Sequence, residues 1–254
     1  MWWLFVSCRS IPDAPIELDK LGSYLFENFE QEDPLYMEQG VRNLHYWVLE
    51  NREAINEGYR IENLSEEAVS ALNVHDDFGL EDLIGAAVGT DVAYDLEAVL
   101  DVILTTDPME VSPEAYGFFE TEWQEDITCF LQKECRSLPF FSNLQNIFPL
   151  GIEMTSYVQG KYIWVSIDEG DFVVQRRWLI EGASNRDWLN VEQDYALMVM
   201  MPTTQGTLFV DIEWVVTYLG DAPFPEDFAL GMAIDAMQNG RETLEEYINS
   251  LESN

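Results

Sequence analysis

The stretch from Tyr162 to Ile180 decides the fold, and it reads Tyr162-Ile-Trp-Val-Ser-Ile167, then Asp168-Glu-Gly170-Asp171, then Phe172-Val-Val-Gln-Arg-Arg-Trp-Leu-Ile180. The two outer segments show the period-2 alternation and the β-branched and aromatic residues that are typical of strands. The polar, glycine-containing segment between them predicts a turn. The sequence therefore predicts an antiparallel β-hairpin here.

The residues after the hairpin extend the sheet and then end it with a helix. Tyr195–Met201 is almost entirely apolar, which predicts a strand buried on both faces. Pro202–Gly206 predicts a turn into a further strand, Thr207–Leu219. Pro225 then begins a long helix to about Leu251, with apolar residues at three- and four-residue spacing. Antiparallel strands followed by one amphipathic helix predict the α+β class.

The N-terminal part divides into a short spacer at 1–15 and a helical region at 16–75. Apolar residues recur at helical spacing through 16–75, which predicts helices that each bury one face. We expect the α+β domain to span 76–254. The sequence leaves open whether 16–75 forms a separate domain or a helical layer on the sheet.

The segment between the helical region and the hairpin is mixed. Leu83–Val92 is rich in Gly and Ala and predicts a strand or a loop. Asp95–Leu104 predicts a helix, and Pro113–Lys133 predicts another because its aromatic residues recur every three or four positions. Pro139–Pro149 predicts a loop or an irregular aromatic segment.

This order of elements resembles the START-like, polyketide-cyclase-like superfamily, whose fold is the helix-grip. The resemblance rests on the hairpin at 162–180, the strand pair at 195–219 and the helix that begins at Pro225, and it covers roughly 150–251 without a specific motif. It implies a curved antiparallel sheet wrapped around a long C-terminal helix. It also implies an apolar cavity between them for a lipid or other small molecule, and a first strand and two short helices within 85–150.

Large side chains of the C-terminal half are the candidates to line such a cavity. Methionine suits a lining because it is flexible and polarizable, and an inward arginine would hold a carboxylate or phosphate head group. Adjacent strand residues face opposite sides, so only one of Arg176 and Arg177 faces inward. The candidates are Trp164, Arg176, Trp178, Met198, Met200, Trp214, Tyr218, Met232 and Met237. The alternative, that each of them simply fills the core, stays open.

The charge of the chain is extreme, because 48 Asp and Glu residues face 12 Lys and Arg residues, a formal net charge of -36. Contacts to nucleic-acid phosphates need clusters of Lys and Arg, so this composition argues against nucleic-acid binding. The acids are spread along the chain, which favours a solvated acidic surface. An acidic face for a basic protein partner and carboxylate binding of divalent cations are the alternatives.

The first residues suggest a lipid anchor at Cys8. The run from Trp2 to Val6 is apolar and is followed by Ser7 and Cys8, which resembles the end of a bacterial lipoprotein signal peptide, although Phe5 stands where that box usually has Leu. The apolar run is too short for a whole signal peptide, so we expect an upstream start. Membrane contact would then occur through the lipid alone, in the periplasm or at the outer membrane. The alternative is a hydrophobic N-terminal tail that packs on the domain, and a cytoplasmic protein is expected in that case.

The other two cysteines are Cys129 and Cys135. A continuous helix would separate them by about 9 Å, beyond disulfide reach. A bridge, which an exported protein could form, therefore requires a break near 132–134. Two free buried thiols are the alternative.

Catalytic residue types are scarce in this chain. His45 and His75 are its histidines, and none of the GxSxG, HExxH, P-loop or GxGxxG patterns occurs. The sequence therefore assigns no catalytic residue, no metal site and no cofactor. Asp211 and Glu213 share one strand face, and the apolar residues on the opposite face predict that the carboxyls face solvent. In a cavity, they would instead form an acid/base pair.

Three functions follow from these patterns. The first is a lipid-anchored acidic protein of the bacterial envelope whose C-terminal half binds an apolar small molecule or lipid. The second is an acidic module that binds a basic protein. The third is a cyclase-like enzyme that uses carboxyls in the cavity.

Overall fold

The computed structural model of the protein describes residues 13–70, 72, 80–148, 152–185, 189–219, 222–223 and 226–252. The helices are α1 (Leu18–Glu27), α2 (Leu35–Glu50), α3 (Arg52–Glu57), α4 (Glu66–Ser70), α5 (Leu96–Thr105), α6 (Pro108–Val111), α7 (Ile127–Leu131) and α8 (Glu226–Glu252). The strands are β1 (Tyr59–Ile61), β2 (Ile84–Val92), β3 (Tyr116–Trp123), β4 (Ser137–Phe148), β5 (Ile152–Ile167), β6 (Gly170–Glu181), β7 (Ala183–Asn185), β8 (Leu189–Thr203), β9 (Gly206–Leu219) and β10 (Ala222–Pro223).

All strands belong to one antiparallel sheet, in the order β1-β2-β9-β8-β6-β5-β4-β3, with β10 beside β9 and β7 beside β8. The predicted hairpin forms between β5 and β6, and its turn brings Ile167 opposite Gly170. The second predicted turn joins β8 to β9 at Gly206, which has a φ of 142°. The α+β class is therefore confirmed.

The order of elements is that of the helix-grip fold. Strand β2 comes first, α5 and α6 follow it, and the strands from β3 to β9 lead into α8. Strand β2 pairs along its whole length with β9, the last long strand. The side chain of Asp95 caps α5 by accepting a hydrogen bond from the backbone N–H of Ala98 at 2.8 Å. The first strand and the two short helices that the resemblance implied thus lie at residues 84–111.

Helices cover both faces of the sheet. The outer face carries Val199, Val210 and Trp214 and shares one hydrophobic cluster with α1, α2, α3 and α4. The inner face carries Met200 and Phe209 and shares a second cluster with α5, α7 and α8. The helices of the N-terminal region thus form a layer on the outer face. No helix in the described part of the chain is long and apolar enough to cross a membrane.

A buried arginine joins α1 to the outer face. The Nη1 of Arg176, on β6, donates to the backbone oxygen of Phe26 at 3.0 Å, and its Nη2 donates to Glu30 at 2.8 Å. Its guanidinium lies 4.8–5.3 Å from the ring centroids of Phe26, Phe29 and Trp178. Desolvation lowers the pKa of Arg176, against the opposing effect of Glu30. Because burial of an arginine is costly unless it is paired, this contact fixes where α1 sits on the sheet.

Three predictions of local structure are wrong. The predicted helix at 113–133 is strand β3 followed by the short helix α7. A β-bulge between Tyr116 and Phe118 changes the alternation, which brings Tyr116 to 5.0 Å from Phe119 between ring centroids and imitates helical spacing. The helical region also contains strand β1.

The third error is the loop predicted at 139–149, where the structure has strand β4 as far as Phe148. Pro139 lies one residue beyond the last β3–β4 pair, Trp123 with Phe140. Its missing N–H therefore interrupts no hydrogen bond to β3, which is where a strand tolerates proline.

Candidate functional site

Five charged side chains meet near the centre of the inner face. We call this group the polar island, and it consists of Arg177, Asp194, Asp211, Glu213 and Arg241. Arg177 Nη1 donates to Asp194 Oδ2 at 2.7 Å, and its Nη2 lies 3.7 Å from Glu213 Oε1. Arg241, on α8, donates from Nε to Asp211 Oδ2 at 2.8 Å. The island therefore ties helix α8 and strands β6, β8 and β9 together.

The register of the strands explains the first half of the island. Arg177 pairs with Ala196, and Ala196 pairs with Glu213 on the far side of β8. The small side chain of Ala196 lets the guanidinium reach across one strand to the next carboxyl. A larger residue at this position would separate the two charges.

The second half of the island depends on α8. Arg241 is the only Lys or Arg in that helix. Its guanidinium lies 4.2 Å from the ring centroid of Phe209, and its Nη2 donates to the sulfur of Met198 at 3.0 Å. Asp211 pairs in register with Met198, so β8 and β9 present an acceptor, a sulfur and a ring to one cation. These contacts hold the middle of α8 to the sheet.

Among the acids of the island, Glu213 has the largest change in pKa. Desolvation and the neighbouring Asp194 together raise its pKa to about 8, against the opposing effect of Arg177. Asp194 Oδ1 is a buried oxygen without a hydrogen-bond donor among the described residues. The protonated form of Glu213, which the raised pKa favours, can supply that donor.

Two tyrosines face the island from the other side of the inner face. Burial raises the pKa of Tyr162, on β5, and of Tyr116, on β3, and the positive charges of Arg177 and Arg241 oppose that rise in both. Tyr116 lies on β3, the edge strand, which β4 and β5 separate from β6 and Arg177 in the sheet order. Its interaction with the two arginines therefore indicates that the sheet curves around the island. Phe140 packs on Tyr162 with ring centroids 5.5 Å apart.

The positions of the predicted cavity residues divide between the two faces. Trp164, Met198 and Met200 lie on the inner face. Met232, on α8, is 42% exposed, and Met237 is half-buried. The residues on the outer face, under the N-terminal helices, are Arg176, Trp178, Trp214 and Tyr218.

The arginine that faces inward is therefore Arg177, since Arg176 belongs to the outer face. The prediction that Asp211 and Glu213 face solvent is wrong. Asp211 is 6% exposed and belongs to the island together with Glu213. The apolar opposite face misled the prediction because helices cover both sides of β9. Sequence reasoning missed Asp194, Arg241, Tyr116 and Tyr162, and the single cation in α8 is the signal that could have indicated Arg241.

A disulfide joins Cys129 and Cys135, whose Cα atoms are 5.3 Å apart. Helix α7 ends at Leu131, and Lys133 adopts a positive φ of 60°, which provides the required break in the helix. The backbone oxygen of Phe130 accepts a hydrogen bond from the Trp164 indole at 2.8 Å. The loop that the disulfide closes thus rests on the inner face at β5.

The remaining sequence candidates lie elsewhere. Residues 1–12, which include Cys8, and His75 are outside the described residues. His45 packs edge-on against Phe172 with ring centroids 5.6 Å apart. Within the described ranges, no group of three or more His, Cys, Asp or Glu residues is placed to hold a metal ion.

Two surface depressions lie near the β5–β6 turn, with volumes of about 460 and 400 Å³. Lys133 and Asp171, which form an ion pair at 2.8 Å, line both of them. They open at the surface and contain no member of the island.

Comparisons with known proteins show limited similarity. No family model matches the chain, and no curated protein matches it. Among solved structures, a STAR-related lipid transfer protein fragment from Xanthomonas axonopodis matches with a TM-score of 0.41 and 9% identity, over 66% of this chain and 85% of that chain. The human StarD13 lipid transfer and protein localization domain matches with a TM-score of 0.40 and 9% identity, over 82% and 95%. Ara h 8.0201 matches with a TM-score of 0.37 and 13% identity, over 66% and 99%. At such low TM-scores and identities, none of the three establishes a family or a ligand.

Proposed function

We propose that the protein binds an apolar small molecule or lipid between the inner face of the sheet and α8. The inner face supplies an apolar lining, in which Met198 and Met200 can adapt their shape to a ligand. The polar island gives the same space a polar end. A mostly apolar site with a few convergent polar groups is the usual composition of a small-molecule site.

The accessibility of the island is the observation that carries this proposal. Solvent reaches 32% of the Arg177 side chain and 20% of Arg241, although the sheet lies behind them and α8 crosses the same face. It reaches 18% of Glu213 as well. Fully packed charges at this position would be excluded from solvent. This exposure supports a space for a ligand between the sheet and the helix.

Native mass spectrometry of the protein, purified and then incubated with a lipid extract, tests the proposal. A discrete added mass that leaves on denaturation is the expected result. Ala196→Phe places a ring beside the island and should abolish the added mass, provided that circular dichroism shows the variant to be folded. Ala236→Phe makes the same change at an exposed position of α8 and should retain it. A clean mass for the unmodified protein, or equal binding by the two variants, would refute the proposal.

A second candidate is acid/base catalysis on the bound molecule. The observation that favours it is Glu213, whose pKa is raised to about 8 by burial and by Asp194 at a partly accessible position of the island. A ligand identified by mass spectrometry should then change mass or isomeric form during incubation, and Glu213→Gln should stop that change. A ligand recovered unchanged by both proteins would exclude this function.

We also propose that Cys8 carries a lipid that anchors the protein to the bacterial envelope. The Cys129–Cys135 disulfide supports this proposal, because disulfides persist mainly in oxidising compartments. Cys8→Ser should move the protein from the membrane fraction to the soluble fraction of the native cells. An unchanged distribution would refute the anchor.

A further inference from the structure

Several groups around the polar island retain hydrogen bonds to donate. The side chain of Tyr162 is nine-tenths or more buried, with 5% of the residue exposed. Within the described residues, neither its hydroxyl nor that of Tyr116 makes a hydrogen bond. Neither oxygen is among the fully buried polar atoms that lack a partner, so both hydroxyls are open to an added acceptor. Both hydroxyls lie near the two guanidiniums of the island, whose charges affect their pKa values.

The guanidiniums also have N–H groups left over. Arg241 uses Nε and Nη2 for Asp211 and Met198, and Arg177 uses Nη1 for Asp194. A guanidinium has five N–H donors in a fixed plane. Each arginine therefore keeps donors that no described residue accepts. Arg177, as the more accessible of the two, can turn these donors to a ligand.

The island does not carry an excess of ionised carboxylates. Asp194 and Asp211 are paired with the two arginines, and burial raises the pKa of Glu213 to about 8, which favours its neutral form near neutral pH. The proton of that neutral form can also cover the free oxygen of Asp194, which is the acceptor that an incoming ammonium group would need. A carboxylate head can accept from the remaining N–H groups of Arg177 and from the two tyrosine hydroxyls, which an ammonium head cannot do.

We propose that the ligand is an aliphatic carboxylate, whose head accepts hydrogen bonds from Tyr116, Tyr162 and Arg177 while its chain lies on the apolar inner face. This inference rests on the proposed function and specifies the ligand class of the same site. Hydrogen bonds from charged donors to a carboxylate are the strong ones. The net charge of -36 repels an anion at long range, so added salt should strengthen binding by screening that repulsion.

Isothermal titration calorimetry with three twelve-carbon probes, each below its micelle concentration, tests the inference on the full chain. The probes are dodecanoate, 1-dodecanol and dodecyltrimethylammonium. We expect dodecanoate to bind about tenfold or more tightly than dodecanol, as one or more charge-assisted hydrogen bonds imply. Dodecyltrimethylammonium should bind more weakly than dodecanol.

Matched tyrosine variants assign the head group to the island. Tyr162→Phe and Tyr116→Phe should each weaken dodecanoate binding about fivefold, the effect of one hydrogen bond, and leave dodecanol binding unchanged. Tyr157→Phe, on the same strand as Tyr162 but 44% exposed, should change neither. Because each variant removes a hydroxyl without a partner, we expect all three to fold, and circular dichroism verifies this.

The outcomes separate the two proposals. Equal affinity for dodecanoate and dodecanol, or a preference for the cation, would overturn the carboxylate inference and leave ligand binding in place. Equal dodecanoate affinity in the wild type and both inner-face variants would overturn the assigned position of the head group. Failure of all three probes together with a clean native mass would overturn the proposed function, and the carboxylate inference with it.

Discussion

Replacing Glu213 by glutamine tests whether the polar island holds a proton near neutral pH. The substitution keeps the shape of the side chain and an N–H donor for Asp194, but it removes the ionisation. Glu213 has an ordinary pKa of 4.5 when unfolded and about 8 in the folded protein. Below pH 4.5 Glu213 is protonated in both the folded and the unfolded protein, so the full stabilisation from its raised folded-state pKa is present. As pH rises towards 8, the unfolded state releases the proton first, so the folded state loses stability.

The magnitude follows from about 1.4 kcal/mol per pH unit for one proton. From pH 5 to pH 8, the wild-type protein should lose roughly 4 kcal/mol of unfolding free energy through Glu213. Glu213→Gln should lack this loss and become the more stable protein at pH 8. Urea denaturation at each pH measures the difference. Glu120→Gln, at an exposed position of β3, should follow the wild-type profile. Parallel profiles for the wild type and Glu213→Gln would show that Glu213 ionises normally and would refute its raised pKa.

Three further substitutions test the fold by chemical denaturation. Arg176→Met should cost about 3 kcal/mol because it leaves the Phe26 carbonyl without its buried donor and removes a buried cation from Glu30, which keeps only Lys161. Lys161→Met, at the more exposed partner of Glu30, should cost under about 1 kcal/mol, and equal effects would contradict the anchoring of α1. Cys135→Ser opens the short loop to Cys129 and should cost about 2 kcal/mol, and an unchanged midpoint under oxidising conditions would show that the disulfide does not form. Gly206→Ala should cost at least about 2 kcal/mol of unfolding free energy. The residue has a φ of 142°, and the added methyl would collide with a backbone carbonyl of β2. A neutral substitution would show that this turn is not rigid.

The second half of the chain could be predicted because its strands are long and its turns carry clear signals. The hairpin at 162–180 and the helix after Pro225 follow from alternation and from the period of apolar residues. Strand β3 could not be predicted, because a bulge at Gly117 places residues of helical spacing on one strand face. A bulge depends on the neighbouring strand, and that neighbour is not visible in a local pattern.

The candidate site was harder to predict than the fold for a related reason. Alternation reports which residues share a face, and it grouped Asp211 with Glu213 correctly. It does not report what covers that face, and a sheet with helices on both sides buries both sets of residues. The meeting of Arg177 with Glu213 across Ala196, and of Arg241 with Asp211, depends on the register and on the placement of α8. Neither property can be read from one strand.

The few cations of this acidic chain have an informative distribution. Three of its nine arginines, Arg176, Arg177 and Arg241, lie between the sheet and its helices, where each is paired with a carboxylate. Charges in such positions are screened little by salt, whereas the carboxylates at the surface repel one another and are screened strongly. Added salt should therefore stabilise the protein through its surface and leave the interior ion pairs nearly unchanged. The same unbalanced surface is what would attract a basic protein partner, and that attraction should weaken in the salt that stabilises the fold. A partner interface and the interior site thus respond to salt in opposite directions, which allows the two functions to be measured separately in one protein.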